Sequence, residues 1–237
     1  MRDDSEAVTT FRESLFAWYG VHKRQMNWRG SANPYHIWIS EIMLQQTQVA
    51  TVIPYYEKFI HRFPTIDELA NASQDDVLHQ WTGLGYYARA RNLHATARSV
   101  MQNYNGEMPL TPEMLEALPG IGRSTAAAIV AISTGQSVAI LDGNVKRVLA
   151  RVFAIEGWPG KSQTLKQLWQ KAEQFTPSGR VGDYTQAIMD LGAIVCTRSS
   201  PKCHECPFEH HCQANLMPVS YTHLRAHETS LHLVCRL

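Results

Sequence analysis

The sequence predicts an all-α protein, and three observations carry that expectation. Apolar residues recur at helical spacing through most of the chain, alternating strand-like runs are absent, and helix start and stop signals return roughly every 12 to 20 residues. Thr65-Ile-Asp-Glu68 has the form of a capping box, in which the Thr hydroxyl takes the third amide and Glu68 reaches back. Ser73-Gln-Asp-Asp76 opens another helix in a similar way. Thr111-Pro112-Glu113 places a cap and then proline at the first helical position. Pro34–Gln45 and Val145–Phe153 read as helices, while Pro159-Gly160 and Thr176-Pro177-Ser178-Gly179 mark loops. Helices of roughly 10 to 18 residues joined by short connections imply a bundle.

The chain has 237 residues and a net charge of +1, so it suits one large domain or two small ones, and its bulk charge gives no sign of nucleic acid. The basic residues are nevertheless patterned. Arg89, Arg91 and Arg98 fall in one predicted helix, Lys146, Arg147 and Arg151 in another, and Arg198 with Lys202 in a third segment. Each run reads either as a solvated face or as a binding surface. No stretch approaches the roughly 18 to 20 apolar residues that span a bilayer, so no membrane association is expected. Met1–Ser14 is charged and lacks an apolar signal core, which points to the cytoplasm. Four of the five cysteines lie within Cys196–Cys212, a grouping that favours a metal site over a disulfide framework.

Two neighbouring motifs carry the chemistry. Leu118-Pro-Gly-Ile-Gly-Arg-Ser-Thr125 is a helix-turn-helix joint in which Gly120 and Gly122 permit a tight backbone. Amides of that turn and of the next helix start, beside Arg123 and Ser124, can point at a phosphate. Such contacts position a duplex without reading its sequence. An ordinary helix–helix joint is the alternative. Leu141-Asp-Gly-Asn-Val145 then places Asp142 at the start of a helix, where amide donors and the positive helix end favour its charged form. A plain N-cap is the alternative there.

Glu41 shares a helix face with Ile37 and Trp38. A carboxyl on an apolar face is expensive unless protonated or paired, and burial raises its pKa, as a general acid requires. A Glu at the edge of the stripe, bonded to a neighbour, fits the same spacing. One carboxyl tuned up and one tuned down divides acid and electrostatic roles. The quartet Cys196-x6-Cys203-x2-Cys206-x5-Cys212 suits a closed four-thiolate site, for either an iron–sulfur cluster or zinc with His204, His210 and His211 nearby. Either metal would fix the loop and present Arg198 and Lys202. Gln45-Gln46-Thr47-Gln48 and Gly83-Leu-Gly-Tyr86-Tyr87 lie at predicted helix junctions. There, amides could bond base edges and a tyrosine could wedge into a base stack; helix-end polar residues and core tyrosines are the alternative.

Taken in order, Trp38-Ile-Ser-Glu-Ile-Met-Leu-Gln-Gln-Thr-Gln-Val49, Trp81-Thr-Gly-Leu-Gly-Tyr-Tyr-Ala-Arg-Ala-Arg91, Leu118–Ala126, Leu141–Arg147 and the cysteine quartet resemble MutY-type adenine DNA glycosylases over roughly residues 8 to 216. The resemblance implies a helix-hairpin-helix DNA glycosylase fold: a six-helix barrel domain over 26–136 and an iron–sulfur cluster domain built from 1–25 and 137–216. DNA would lie in the cleft between them, and one 4Fe-4S cluster would be present. It further implies a monomer acting on double-stranded DNA with adenine opposite 8-oxoguanine or guanine, in a bacterial cytoplasm close to the nucleoid. By position, Glu41 matches the acid that protonates adenine, Asp142 the carboxylate facing the oxocarbenium-like sugar, and Asn144 its support. Tyr86 matches the wedge and Gln46 the residue entering the helix near the lesion. Gln45, Thr47, Arg89, Gly120, Gly122, Arg123, Ser124 and Lys146 complete the expected contacts to DNA.

Endonuclease III enzymes carry lysine where this chain has Ser124, and that amine forms a Schiff base that cleaves the strand. Serine implies base removal without efficient strand cleavage. Competing readings are an endonuclease III-like enzyme for oxidised pyrimidines and a non-catalytic, cluster-bearing DNA-binding module. Two departures stand out. Met26-Asn27-Trp28 replaces the family's Leu-Pro-Trp, which loosens a turn. The family also continues into a C-terminal domain that probes the oxidised guanine, so reduced discrimination between 8-oxoguanine and guanine is expected. Residues 219–237 lack helical period and resemble the translation of sequencing-adapter DNA, and they are read as a non-native tail.

Overall fold

The computed structural model describes residues 4–217. The proposed non-native tail at 219–237 lies outside the described residues. Among the described residues the chain is helical and contains no strand. It divides into two compact units, one of Gln25–Gln136 and one formed by both ends of the chain, up to Arg24 and from Ser137.

The unit with both ends begins with α1 (Asp4–His22). The chain then builds the other unit from α2 (Pro34–Leu44), α3 (Val49–Arg62), α4 (Ile66–Asn71), α5 (Gln74–Trp81), α6 (Ala88–Tyr104), α7 (Pro112–Glu116) and α8 (Arg123–Thr134). The caps fall where the sequence places them. Thr65 Oγ1 accepts from the Glu68 amide while Glu68 bonds back to the Thr65 amide, and Ser73 and Thr111 cap α5 and α7. The predicted helix from Pro34 stops one residue short, with Gln45 as its C-cap.

The core of this unit gathers Trp38, Ile39, Met43, Phe59, Phe63 and Trp81, all fully enclosed. Helix α2 packs on α8. Ala126, Ala127 and Ala128 are buried there, and their small side chains let two backbones approach closely. The α7–α8 joint is pinned by Leu118 and Ile121, both buried, and by Thr96 Oγ1 donating to the Pro119 carbonyl at 2.8 Å. Gly120 has φ +76°, and a Cβ there would lie 2.8 Å from Asn92 Cβ on α6. Both the left-handed backbone and the close approach therefore call for glycine.

The other unit continues with α9 (Gly143–Val152), α10 (Ser162–Phe175), α11 (Val181–Ile194) and the short α12 (Gln213–Leu216). Val145, Val148, Leu149 and Val152 form the buried stripe of α9, which packs on α11. Phe11 of α1 stacks on Phe208 with centroids 4.2 Å apart and meets Phe175 edge-on, tying the start of the chain to the cysteine loop. Asp190 is fully buried on α11. It accepts from Arg24 Nε at 2.7 Å and from the Arg24 amide, so its charge is paired where it would otherwise be costly.

Candidate functional site

Glu41 sits half-buried on α2, between the enclosed Ser40 and Ile42. The end of that helix is unusual. Gln45 caps it, and Gln46 follows with φ 57°, a left-handed conformation that a side chain normally makes unfavourable. Carbonyls at a helix end need donors, and here one side chain supplies them. Arg89 Nη1 donates to the carbonyls of Ile42, Met43 and Gln45 at 2.9, 2.8 and 2.6 Å. Its Nη2 donates to Thr47 Oγ1 at 3.1 Å and, at longer range, to the carbonyls of Leu84 and Gly85. The guanidinium also lies 5.3 Å from the ring centroids of both Trp81 and Tyr86.

Both terminal nitrogens of Arg89, expected as a DNA contact, are thus bonded to the protein's own α2 end and to the turn before α6, while its buried Nε has no hydrogen-bond partner among the described residues. Burial pulls its pKa down from the usual arginine value. Gln45 is also turned inward, with its amide 3.5 Å from Thr125 Oγ1 on α8. Gln46 and Tyr86, by contrast, point to solvent, Tyr86 at 56% exposure and φ 50°.

At the hairpin, Gly120, Gly122 and Arg123 are exposed, and Ser124 is half-buried. Gly122 is the N-cap of α8 without a side-chain cap, and a Cβ at Gly122 would meet nothing within 4 Å. Space around the first turn of α8 is thus open to an outside group.

In the other unit Asp142 is the N-cap of α9, and its Oδ1 accepts from the Val145 amide at 2.8 Å. Asn144 Nδ2 donates to Asp142 Oδ2 at 3.3 Å. Arg147 Nη2 donates to Asn144 Oδ1 at 2.8 Å and to the Gly192 carbonyl at 2.6 Å, while its Nε donates to the Cys196 carbonyl at 2.7 Å. A continuous chain of hydrogen bonds therefore runs from Asp142 through Asn144 and Arg147 to the first cysteine. The expectation that Asp142 is tuned down is corrected. Burial pushes its pKa up, and this outweighs the Val145 amide, the Arg147 guanidinium and Asn144, which all pull it down. Lys146 stands half-buried on the same helix.

All four cysteines of the quartet are free and line one cavity of about 230 Å³ with Val148, Leu191 and Phe208. Arg151 continues the arginine pattern, donating to Cys196 Sγ at 3.4 Å and to the carbonyls of Thr197 and Arg198. Among the described residues no three His, Cys, Asp or Glu side chains converge on a single-ion site. Burial pushes the Cys203 and Cys212 thiols up and Cys206 up to about 12, so metal must displace protons to bind there. Arg198 and Lys202 are exposed on this loop, and Lys202 pairs with Glu205.

Sequence reasoning left the roles of Arg147 and Arg151 undecided within a basic run. It also passed over Gly192, where a Cβ would lie 2.6 Å from Asn144 Cβ. A glycine inside a helix was the available signal for that close packing.

The chain belongs to the HhH-GPD superfamily of base excision DNA repair proteins, which it matches over residues 39–174, more than half its length. Residues 196–212, which hold the cysteine quartet, match the iron–sulfur binding domain of endonuclease III. Within that superfamily the chain is 48% identical to the adenine DNA glycosylase of Homo sapiens over 222 residues, 90% of this chain and 40% of the human protein. It is 45% identical to the adenine DNA glycosylase of Buchnera aphidicola subsp. Baizongia pistaciae (strain Bp), over 87% of this chain and 58% of that one. The chain thus spans about half the length of the curated relatives it matches. A thermostable thymine-DNA glycosylase structure superposes with a TM-score of 0.81 at 28% identity, covering 90% of this chain and 98% of that one. A non-covalent endonuclease III–DNA complex shares the fold at a TM-score of 0.74 and 21% identity, covering 91% and 98%.

Proposed function

We propose that this chain is a DNA glycosylase that removes adenine opposite 8-oxoguanine or guanine by hydrolysing the N-glycosidic bond, without efficient strand cleavage. It would act as a monomer on double-stranded DNA. The observation that carries the reading is the Asp142–Asn144–Arg147 arrangement at the start of α9, downstream of an open, glycine-lined hairpin.

Glu41 donates a proton to the adenine ring at N7, and the glycosidic electron pair leaves with the base. The sugar becomes cationic at its anomeric carbon. Asp142, ionised and only partly reached by water, stabilises that cation. Asn144 and the Val145 amide fix the direction of its oxygens. Water then adds to the anomeric carbon and releases a proton. The Gly120–Arg123 turn holds a phosphate, and Gln46 and Tyr86 meet the bases. Ser124 offers no amine, so no Schiff base forms there.

We also assign a single 4Fe-4S cluster to Cys196, Cys203, Cys206 and Cys212. Four thiolates around one zinc, each about 2.3 Å from the metal, would converge to sulfur separations of about 4 Å. The 196–212 segment instead matches the iron–sulfur binding domain of endonuclease III, and its four free cysteines line one cavity, which supports a cluster held by four thiolates. When bound, the cluster crosslinks the 196–212 loop. Iron and sulfide analysis should give four of each per chain.

The activity is tested on a duplex with adenine opposite 8-oxoguanine, treated with or without alkali after incubation. Strand breaks only after alkali are expected. Breaks without alkali would contradict the absence of lyase chemistry, and no breaks in either case would contradict the glycosylase.

A further inference from the structure

Arg89 makes contacts beyond those of an ordinary helix cap. Its guanidinium joins two chain segments that are far apart in sequence: the end of α2, through Ile42, Met43, Gln45 and Thr47, and the turn before α6, through Leu84 and Gly85. Each segment carries one residue held at positive φ without being glycine, Gln46 at 57° and Tyr86 at 50°. A side chain in that region is unfavourable and persists only where surrounding contacts impose it. Within this unit the other such residue is Asn105, the C-cap of α6, and it is not among the partners of this guanidinium. Trp81 reinforces the second segment, its Nε1 donating to the Gly85 carbonyl at 3.0 Å. The Tyr86 ring is exposed yet backed by the Arg89 cation.

We infer that Arg89 is a positioning residue that locks Gln46 and Tyr86 together as one preformed probe for the bases of the duplex. The inference rests on the glycosylase reading above. Neither side chain is free to choose its direction, because each backbone is fixed by the same planar fork of donors. Preorganisation of this kind removes the ordering cost that flexible loops meet on binding. Lysine cannot replace it: an ammonium is a point charge with three donors and cannot span both segments.

The test uses the iron-loaded chain and duplexes carrying 2-aminopurine in place of the adenine, whose fluorescence rises on unstacking. Arg89→Lys should retain the visible iron–sulfur absorbance and the affinity for undamaged duplex. Its fluorescence rise should collapse, and base removal under single-turnover conditions should slow by about 100-fold, the scale of a misplacement remote from the chemistry. In the Arg89→Lys background, Gln46→Ala and Tyr86→Ala should each add less than about twofold, against about tenfold or more alone, because all three act as one unit. Thr47→Val removes a single acceptor and leaves the guanidinium in place. It should shift the same readouts in the same direction by a few fold, which guards against a folding defect in Arg89→Lys. Full additivity, or an unchanged fluorescence rise in both Arg89→Lys and Thr47→Val, overturns the inference while leaving the glycosylase intact. A wild-type chain that neither unstacks 2-aminopurine nor removes adenine overturns the glycosylase reading and this inference with it.

Discussion

Each unit presents one of the two candidate catalytic carboxylates on a helix, and in each an arginine ties that helix to a neighbouring loop. Arg89 gathers the end of α2, beyond Glu41, using acceptors on the last turn of that helix and on the loop after it. Arg147 ties the start of α9, beside Asp142, to Gly192 and to the carbonyl of Cys196. The first anchor is complete in protein alone. The second ends on a loop whose four half-buried cysteines line one cavity, the site proposed above for the iron–sulfur cluster. Under the proposed cluster assignment, the same device makes one carboxylate independent of the cofactor and the other dependent on it.

The largest expected effect falls on the chemistry. Glu41→Gln should slow base removal by about 10³-fold, within the range for a lost general acid, while duplex affinity changes less than about twofold. Band shifts and single-turnover rates on the same duplex check this, and equal losses in both would make Glu41 structural. Next, Arg147→Ala should slow base removal by about 10–100-fold, as removal of a supporting hydrogen-bond partner typically does. It should also speed bleaching of the iron–sulfur absorbance in air. A variant with normal bleaching would break the proposed dependence of the α9 start on the cysteine loop.

A smaller effect concerns stability against pH. A carboxyl whose pKa is raised by folding holds its proton more tightly in the native state. Stability then falls as pH rises from the unfolded Asp value of about 4 to the raised folded value. Burial raises Asp142 in this way, so at neutral pH its charge costs stability. Asp142→Asn, which keeps an N-cap side chain, should therefore melt higher than wild type at neutral pH, the gap closing toward pH of about 4. It should remove adenine poorly throughout. An unchanged gap across that range would place the cost elsewhere. Smallest is Gly120→Ala, expected to lose about 1–2 kcal/mol by denaturant titration from its left-handed backbone and the contact with Asn92.

Much of the scaffold was legible in the sequence because it depends on local rules. The capping box at Thr65, the cap at Ser73, the proline after Thr111 and the hairpin glycines all act within a few residues of themselves. The cysteine spacing was equally direct. The arginines were not legible. A basic run reads the same whether its donors face solvent, phosphate or the protein's own carbonyls, and only the tertiary fold supplies the acceptors of Arg89, Arg147 and Arg151. The pKa direction of Asp142 failed for a related reason: the cap that lowers it is local, whereas the burial that raises it comes from the fold. The left-handed backbones of Gln46 and Tyr86 left no glycine or asparagine to announce them.

Hydrogen exchange in the iron-loaded and iron-stripped chain tests the contrast between the two anchors most directly. The Val145 amide, which donates to Asp142, reports the start of α9, and the Thr47 amide, which donates to the Leu44 carbonyl, reports the end of α2. Stripping the iron should sharply reduce protection at Val145 while protection at Thr47 stays within about twofold. Unchanged protection at Val145, or equal loss at both amides, would contradict the account.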